Sequence, residues 1–590
     1  MADIHTLEHY LEALAAHGLL LTNCTVLSQR ARQNPVYQIS YDSRQVSQGC
    51  LFVIKGHGIK ADYLKAAIEA GAVACIYDRA TLAQAALALP DAAGVSLIEV
   101  TDARHALPVL ATTFYGDLSK RLRIVGITGT KGKSTTAYYL RSILDQWLVA
   151  HGRAACAYLT SIDTYDGRSC TESHITTPDT FELYAHFANA IASGIEYLVM
   201  EVSSQGLKYG RSAGVSFEVG CFLNIGVDHI SPLEHTSSED YLASKLLLFA
   251  QCKSAVVNAD TAHSKQVLAA AAGTGSKRLT TFSADTMREP QQAATIQATH
   301  INPLSKGIEF MLGKERFFLG MPGLFNVENA LAAIGCARML GVPEHFIHAG
   351  LQQARAPGRM EVLGGPGQPV VIVDYAHNQM SFEMLFASVA ATYPKRRCTI
   401  VFGCPGHKAL TRRQELGTLA GHFCAVSYLT EEDAGSEPVE QICAEIAHYV
   451  TAAGGVYRII PNREQAIATA LAEADANTVV LLTGKGREQR QKRGGSYVSV
   501  RSDLDIATAL LGHDPYPPSD RRKRTNGRDT GPTYAFAPDN RPPKQERAKR
   551  GPTHIFVPDD HNQTAGRDGS DGQGDFHNPL SSPDVFDPPQ

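Results

Sequence analysis

The sequence lacks most features that would mark a membrane, secreted or nucleic-acid-binding protein. Its 590 residues include no apolar run of about 18 residues, which excludes an ordinary membrane-spanning helix. The 12 cysteines form no Cys-x-x-Cys pair, so neither a zinc site nor a disulfide framework is indicated. The 55 Lys and Arg residues nearly balance the 59 Asp and Glu residues, and a net charge of −4 excludes a uniformly basic nucleic-acid binder. We therefore expect a cytoplasmic protein with no membrane or nucleic-acid partner.

The N-terminal segment 1–21 also lacks the pattern of a secretion signal. It carries the acidic residues Asp3, Glu8 and Glu12, and no basic start precedes a cleavage site. Its apolar residues recur at helical spacing instead, so the segment predicts an amphipathic helix.

Short apolar runs rich in β-branched residues alternate with helix-length segments along most of the chain. Such alternation is typical of an α/β protein whose parallel sheets are covered by helices on both faces. Ten of these predicted strands lie at 51–54, 74–78, 123–128, 197–202, 221–226, 254–260, 370–376, 398–403, 425–430 and 478–484.

Composition and motif positions predict three folded domains and a tail. We place the boundaries at 1–112, 113–356, 357–512 and 513–590, because the pattern of strands and helices fades after Leu511. The tail is rich in Pro, Asp, Arg and Gly, and we expect it to be disordered. It contains the repeat GPTYAFAPDN and GPTHIFVPDD, so Phe536 and Phe556 could alternatively anchor a protein partner that the sequence does not identify.

The segment GITGTKGKSTT (126–136) has the context of a phosphate-binding loop. It follows an apolar strand and precedes a helical segment, and backbone N–H groups at such a helix start bind phosphate oxygens. Lys133 would reach the β- and γ-phosphates of ATP, and Ser134 would hold Mg²⁺. Ile127 stands where the usual spacing has glycine, so this loop is a shorter variant of the pattern.

Three other residues are candidates for the same site, each with a plainer alternative. Glu201 ends an apolar run, where an acid is well placed for Mg²⁺ but is more often an exposed cap. His229 follows Asp228 in NIGVDHI, and a lone histidine there is more often structural. Lys245 in YLASK would ordinarily be a solvated helix residue.

Together these segments resemble the Mur ligases, the ATP-dependent amide-forming enzymes of peptidoglycan precursor synthesis. The resemblance covers roughly residues 40–510 and is carried by GTKGKST (129–135), EVSS (201–204), NIGVDHI (224–230), YLASK (241–245), NVENALAA (326–333), PGRME (357–361) and DYAHN (374–378). It implies a P-loop ATPase central domain and a Rossmann-like C-terminal domain. The segments 41–63, 176–183 and 203–211 are most similar to the MurE branch, which adds the third peptide residue.

The resemblance also implies a reaction and a set of site residues. ATP would convert the D-glutamyl carboxylate of UDP-N-acetylmuramoyl-L-alanyl-D-glutamate into an acyl phosphate, which an amino acid then attacks. The implied metal site consists of Ser134, Glu201, His229 and Lys245, with Lys245 carbamylated by CO₂. The implied catalytic residues are Lys133, Glu201, His229 and Lys245. The implied ATP-binding residues are Gly129, Thr130, Lys131, Gly132, Lys133, Ser134, Thr135, Asn326, Asn329, Arg359, Asp374 and His377. The implied UDP-substrate residues are Ser43, His57, Thr176, Thr177, Ser203 and Arg211.

The segment expected to bind the incoming amino acid departs from the diaminopimelate-adding members. Those enzymes carry an Asp-Asn-Pro-Arg motif, whereas this chain has TEEDAGSEP (430–438), and it therefore lacks that arginine. The residues that fall on the amino-acid site are Lys408, Asp433, Gly435, Gly484 and Glu488. A pocket rich in carboxylates favours a side-chain ammonium, so we expect L-lysine, with L-ornithine as the alternative. The plainer alternative is that Glu431 and Glu432 face solvent.

Three rival functions remain open from the sequence alone. A folate polyglutamylating ligase would share the ATPase core, but the 41–63 and 203–211 segments argue against it. A catalytically silent scaffold would act through its tail, although Lys133, Glu201, His229 and Lys245 are all present. Nucleic-acid binding through RRKR (521–524) rests on composition alone.

Overall fold

The structure, a computed structural model, describes residues 4–21, 27–56, 59–84, 95–226, 234–273, 278–285 and 294–512. Two predicted site residues, His57 and His229, lie outside these ranges, as does the 513–590 tail with its repeat. Within the described ranges, no helix combines the length and apolar character that a membrane span requires.

The N-terminal part contains a small parallel sheet. Its elements are β1 (His5–Thr6), α1 (Leu7–Ala16), α2 (Gln29–Arg32), β2 (Pro35–Val36), β3 (Gln38–Ser40), β4 (Cys50–Val53), α3 (Ala61–Glu69), β5 (Ala72–Tyr77), α4 (Arg79–Gln84), β6 (Ser96–Glu99) and α5 (Ala103–Tyr115). The sheet has the order β3-β4-β5-β6 with parallel pairing throughout, and β1 pairs separately with β2. The predicted amphipathic helix is confirmed as α1, which buries Leu7, Tyr10, Leu11 and Leu14.

An eleven-stranded sheet forms the middle of the chain. Its elements are β7 (Arg123–Thr128), α6 (Lys133–Ala150), β8 (Ala157–Leu159), β9 (Asp163–Tyr165), β10 (Cys170–Glu172), α7 (Thr180–Ala192), β11 (Tyr197–Glu201), α8 (Ser204–Lys208), β12 (Phe217–Phe222), α9 (Ser238–Leu246), β13 (Cys252–Asn258), α10 (Ser264–Ala272), β14 (Arg278–Ser283), β15 (Ile296–Leu304), β16 (Gly307–Leu312), β17 (Glu315–Leu319), α11 (Asn326–Met339) and α12 (Glu344–Gln353). The strand order is β10-β9-β8-β11-β7-β12-β13-β14-β15-β16-β17.

The expectation of purely parallel sheets is wrong at both ends of this sheet. The central run β8-β11-β7-β12-β13-β14-β15 pairs in parallel throughout, but β8–β9–β10 at one end and β15–β16–β17 at the other are antiparallel. The connections explain the difference, because the two-residue loops of β15–β16 and β16–β17 and the short loops of β8–β9 and β9–β10 leave no room for the crossover that a parallel pair needs. Gly313, at φ 60°, supplies the left-handed backbone that the β16–β17 turn needs.

A six-stranded sheet follows. Its elements are β18 (Glu361–Leu363), β19 (Val370–Asp374), α13 (Gln379–Thr392), β20 (Arg397–Phe402), α14 (Thr411–Phe423), β21 (Val426–Leu429), α15 (Val439–Ala452), β22 (Tyr457–Ile459), α16 (Arg463–Ala472), β23 (Thr478–Thr483), β24 (Arg490–Arg493), β25 (Ser496–Ser499) and α17 (Asp503–Leu510). The order is β18-β19-β23-β20-β21-β22, and only β18 runs antiparallel to its neighbour. The β24–β25 hairpin forms its own sheet.

The α/β class and nine of the ten predicted strands are confirmed with small shifts in their ends. The tenth, 221–226, is mostly loop, because the strand is Phe217–Phe222 and the chain leaves the sheet before Asn224. The three larger sheets occupy 38–99, 123–319 and 361–483. These ranges fall inside the predicted domains, and the exact boundaries stay a prediction.

Parallel strands bring chemically useful loops to one edge of each of the two larger sheets. In the eleven-stranded sheet, β11, β7 and β12 are adjacent and end at Glu201, Thr128 and Phe222. In the six-stranded sheet, β19, β23 and β20 are adjacent, so the segments after Asp374 and Thr483 start close together. Ligands of open α/β sheets bind outside these carboxyl ends, so the candidate site is expected there.

Candidate active site

The phosphate-loop prediction has the expected local structure. The loop 129–132 joins β7 to α6, and Lys133 is the first residue of that helix. The Lys133 ammonium folds back over the loop and donates to the carbonyls of Gly129 at 2.9 Å and Thr130 at 3.3 Å. Gly132 has φ 85°, and a Cβ there would collide with Asn329 Oδ1. Both the backbone and the close neighbour therefore require glycine at this position.

Asn224 supports the loop from the segment that follows the adjacent strand β12. Its Oδ1 accepts hydrogen bonds from the backbone N–H of Thr130 at 3.1 Å and of Lys131 at 2.9 Å. Its Nδ2 donates to the Lys131 carbonyl at 3.2 Å. The side chain thus fixes the part of the loop that precedes α6.

An oxygen-rich cluster lies on the β11 side of the loop. Glu201 is only 1% exposed, so the alternative of an exposed cap is wrong. Its Oε1 accepts from the Ser161 backbone N–H at 2.7 Å and from the Ser161 hydroxyl at 3.2 Å. Ser161 Oγ also lies 3.0 Å from Ser134 Oγ. The structure therefore brings Ser134 and Glu201 together through Ser161, with donors of the kind that Mg²⁺ prefers.

Lys245 belongs to the same centre. It is 1% exposed on α9, which rules out a solvated helix lysine. Its Nζ donates to the Gly129 carbonyl at 2.9 Å and lies 4.4 Å from the centre of the Tyr241 ring. The Tyr241 hydroxyl is 3.2 Å from Thr130 Oγ1, so both side chains of α9 reach the phosphate loop.

The two predicted adenine-side asparagines begin α11. Asn329 Nδ2 donates to Asn326 Oδ1 at 3.0 Å, and Asn326 Nδ2 donates to the Pro322 carbonyl at 2.6 Å. Asn329 Oδ1 accepts from Thr136 Oγ1 at 3.3 Å. These contacts place the start of α11 against the first turn of α6.

The other predicted nucleotide residues lie at the start of the six-stranded sheet. Asp374 is buried, and its two carboxylate oxygens accept from the backbone N–H groups of Met360 and Ala376, both at 2.8 Å. Burial raises the pKa of Asp374, and the Arg359 guanidinium opposes that rise. His377 Nδ1 donates to the carbonyl of Tyr375 at 2.7 Å.

Three of the predicted substrate residues, Thr177, Ser203 and Arg211, form a substrate cluster. The Thr177 hydroxyl donates to Ser203 Oγ at 3.2 Å and accepts from the Ser203 N–H at 2.9 Å. Arg211 donates to the Thr177 carbonyl at 3.1 Å. Asp179 binds Arg211 Nε at 3.1 Å and Lys55 Nζ at 2.9 Å, which ties the cluster to the end of β4.

The remaining predicted substrate residues are less closely placed. Thr176 is half-buried and precedes Thr177 in the chain. Ser43 is half-buried in a short 3-10 helix, Ser43–Gln45, of the N-terminal part. No contact among the described residues joins either side chain to the substrate cluster.

The predicted carboxylate-rich pocket lies at the carboxyl edge of the six-stranded sheet. Glu431 and Glu432 are 7% and 9% exposed, so the alternative that they face solvent is wrong. Arg493 binds both oxygens of Glu431, at 2.6 and 3.0 Å. Lys485, itself 3% exposed, binds Asp433 Oδ1 at 3.0 Å and Glu488 Oε2 at 2.7 Å. Three of the four carboxylates are therefore already paired with cations of the chain.

Glu432 differs from those three carboxylates. In the part of the chain that the structure describes, no ion pair within 4 Å involves it. Burial raises its pKa to about 7, although Arg463, Lys485 and Arg412 act in the opposite direction. A Cβ at Gly484, where φ is 98°, would collide with Glu432 Oε2. Gly484 therefore leaves the space that this carboxylate occupies.

The other two predicted amino-acid residues lie apart from Glu432. Gly435, at φ 61°, exchanges two backbone hydrogen bonds with the β24–β25 hairpin. It also lines an open cavity of about 410 Å³, together with Glu431 and Arg493. Lys408 is exposed on the loop after β20. The described contacts do not bring Lys408 to the carboxylates.

Comparison with known proteins decides the family. Residues 127–337 match the Mur ligase middle domain, and residues 358–486 match the Mur ligase glutamate ligase domain. The chain is 36% identical to the UDP-N-acetylmuramyl-tripeptide synthetase of Bifidobacterium longum, over 81% of this chain and 92% of that protein. It is 33% identical to the UDP-N-acetylmuramoyl-L-alanyl-D-glutamate--L-lysine ligase of Enterococcus faecalis, over 85% of this chain and 96% of that protein. The chain belongs to the Mur ligase family. It is therefore an ATP-dependent ligase.

Solved structures agree with the fold of this Mur ligase. A UDP-N-acetylmuramoyl-L-alanyl-D-glutamate--2,6-diaminopimelate ligase aligns with a TM-score of 0.58 at 22% identity, covering 86% of this chain and 99% of that one. MurF from Acinetobacter baumannii aligns with a TM-score of 0.55 at 20% identity, covering 82% and 96%. At these identities the likeness concerns the fold alone.

The site of this Mur ligase includes four residues that the sequence reasoning missed, namely Asn224, Ser161, Tyr375 and Lys485. Each one follows the carboxyl end of a strand, which was the available signal. Ser161, Tyr375 and Lys485 hold other side chains, and Asn224 holds the loop backbone, and a sequence motif gives no geometry for such contacts.

Proposed function

We propose that this ligase adds L-lysine to UDP-N-acetylmuramoyl-L-alanyl-D-glutamate at the expense of ATP, in cytoplasmic peptidoglycan precursor synthesis. Its substrates are then the nucleotide-linked dipeptide, ATP and a free amino acid. The eleven cysteines in the described ranges are free thiols, ten of them buried, which is typical of a reducing compartment.

Glu432 is the observation that carries the choice of amino acid. Arg493 and Lys485 already form ion pairs with the three neighbouring carboxylates, so Glu432 is the described pocket carboxylate left to receive a side-chain ammonium. A diaminopimelate side chain would bring a second carboxylate next to this buried acid, at a cost on the order of 1–3 kcal/mol. The L-lysine ligase of Enterococcus faecalis, which matches 85% of this chain, supports the same choice.

The chemistry follows from the weakness of a carboxylate as an acyl donor. Transfer of the γ-phosphoryl group to the D-glutamyl carboxylate replaces a poor leaving group, oxide, by phosphate. The lysine amine then attacks the acyl carbon, and phosphate leaves as the amide bond forms. Lys133 would neutralise charge on the transferred group, and the loop residues Gly129, Thr130, Lys131, Gly132 and Thr135 would surround the phosphates at the start of α6.

The oxygen cluster fits Mg²⁺, which would offset the repulsion between a triphosphate and a carboxylate. Ser134 and Glu201 would hold the ion, with Ser161 fixing both side chains. His229 is a further proposed ligand outside the described ranges. Lys245 lies at the same loop, and its carbamylation would convert a buried cation into an oxygen ligand.

The remaining roles follow the placement of the side chains. Asn326, Asn329, Arg359, Asp374 and His377 would contact adenosine, from two sheets that must close on the nucleotide. Thr176, Thr177, Ser203 and Arg211 would hold the dipeptide end of the UDP substrate, with Ser43 and His57 at its uridine end. Asp433, Gly435, Gly484, Glu488 and Lys408 would surround the amino acid, with Lys408 reaching it only after closure.

A panel of amino acids with the UDP-dipeptide and ATP tests the proposal, with the product read by mass. We expect a tripeptide product with L-lysine, and a kcat/KM for meso-diaminopimelate about 5- to 150-fold lower, which is the factor that 1–3 kcal/mol gives. A preference for L-ornithine would change the assigned amino acid and leave the rest of the proposed reaction unchanged. No product with any amino acid would favour the silent scaffold, and activity on a folate but not on the UDP-dipeptide would favour the folate ligase.

Activity with and without CO₂ tests the carbamylation of Lys245 separately from the ligase reaction. Enzyme prepared without CO₂ should lose activity and regain it when bicarbonate is added, and a Lys245→Arg variant should show no such recovery. Equal activity with and without CO₂ would contradict carbamylation while leaving the ligase reaction intact.

A further inference from the structure

Tyr375 contacts two charged residues that we assign to different substrates. Its hydroxyl donates to Glu488 Oε1 at 2.6 Å, on the amino-acid side. Its ring lies 4.3 Å from the Arg359 guanidinium carbon, on the nucleotide side. The residue follows β19 and is half-buried. One side chain therefore joins the two halves of the site.

The Tyr375 hydroxyl is one of two donors that set the position of Glu488. Lys485 Nζ binds the second oxygen, Oε2, at 2.7 Å and also binds Asp433 at 3.0 Å. Burial raises the pKa of Tyr375, and the Glu488 charge adds to the rise. The hydroxyl thus remains a donor over the whole working pH range, and its loss would leave Glu488 tied to Lys485 alone.

We propose that Tyr375 is a positioning residue that couples nucleotide binding to amino-acid binding. This inference rests on the proposed function. A guanidinium attracted to the ring face and a carboxylate bound to its hydroxyl share one rigid aromatic group, so the position of Arg359 affects that of Glu488. Because linkage is reciprocal, ATP should strengthen lysine binding by the same factor as lysine strengthens ATP binding.

Two variants separate the two contacts of Tyr375. Tyr375→Phe keeps the ring against Arg359 and removes the hydrogen bond to Glu488, whereas Tyr375→Leu removes both. The matched control is Tyr428→Phe, because the Tyr428 hydroxyl donates to Glu473 Oε2 at 2.8 Å in the same sheet but away from Arg359. The control removes the same type of hydrogen bond without touching the proposed coupling.

Steady-state kinetics and binding titrations give the readouts. Tyr375→Phe should raise the lysine KM about 10-fold and leave the ATP KM within about two-fold. Tyr375→Leu should raise both the lysine KM and the ATP KM. In calorimetry, a non-hydrolysable ATP analogue should tighten lysine binding to the wild type. The coupling ratio, which is the lysine Kd without the analogue divided by the Kd with it, should fall to about one in Tyr375→Leu. Tyr428→Phe should match the wild type in all three measurements.

An unchanged lysine KM in Tyr375→Phe, or an undiminished coupling ratio in Tyr375→Leu, would overturn the inference. Tripeptide formation by the wild type is measured first, so a failure of the proposed function is recognised independently. If the wild type turns over another amino acid, the same series is run with that one.

Discussion

Replacing Glu432 by glutamine removes the charge of the one pocket carboxylate that has no described ion pair. Its pKa is about 7 in the folded protein, compared with an ordinary value of 4.5, and burial is the main cause. A raised acid pKa means that the folded state binds more protons than the unfolded chain between these values. The contribution of Glu432 to stability is therefore most favourable below about pH 4.5 and falls as the pH rises through about 7, by about 3 kcal/mol in all.

Urea unfolding at about pH 5 and about pH 8.5 measures this effect. Glutamine has almost the same shape and no charge, so Glu432→Gln should match the wild type near the lower pH. At the higher pH it should be more stable, by up to about 3 kcal/mol. The control is Glu437→Gln in the same loop. The Arg413 guanidinium lowers the pKa of Glu437, so losing that charge should destabilise the protein at the higher pH.

The same variant tests the assigned role in catalysis. A lysine ammonium would stabilise the charged form of Glu432, which forms as the pH rises through about 7. Lysine should therefore bind better over that range, and the wild-type lysine KM should fall. Glu432→Gln should raise the lysine KM at least about 10-fold, abolish this pH dependence and leave the ATP KM unchanged. A variant with wild-type lysine KM and no gain of stability at the higher pH would refute the reasoning on both counts.

Substitutions at the phosphate loop and the substrate cluster test the other assignments. Lys133→Met should lower tripeptide formation at least about 100-fold with an unchanged circular dichroism spectrum, whereas Lys253→Met, at an exposed position, should be fully active. Gly132→Ala places a methyl group against Asn329 Oδ1 and should raise the ATP KM about 10-fold, and an unchanged value would contradict the close packing. Arg211→Gln should raise the UDP-dipeptide KM about 10-fold while the ATP KM stays within about two-fold, and an equal rise in both would assign Arg211 to the nucleotide instead.

The sequence predicted those features that depend on short stretches of chain. Apolar runs long enough to fill a buried strand identified the parallel sheets, and a strand, glycine-rich turn and helix identified the phosphate loop around Lys133. The left-handed backbone at Gly132 follows from the same local pattern. Likewise, the end of strand β11 placed Glu201 beside that loop, because neighbouring parallel strands end at one edge.

Contacts between distant segments could not be predicted in this way. Lys485 pairs with Asp433 from a different loop, and no local pattern in either segment shows that the two charges meet. The burial of Lys245 depends on packing of α9 against the phosphate loop, whereas its own sequence fits a solvated helix equally well. The strand predicted at 221–226 failed for a similar reason, because Asn224 hydrogen-bonds the loop instead of continuing the sheet.

Selectivity in the proposed amino-acid pocket depends on which acidic side chains are already ion-paired within the protein. The number of acidic residues in the sequence does not show this. Four acidic residues suggest a pocket that could hold several cations, but three of them are already ion-paired with Arg493 or Lys485 within the protein. Under the proposed function, the carboxylate left to bind the substrate ammonium is Glu432, and burial makes its charged form unfavourable. An ammonium group on the substrate would pair with Glu432 and so offset the energetic cost of its buried charge. A second carboxylate on the substrate would increase that cost instead.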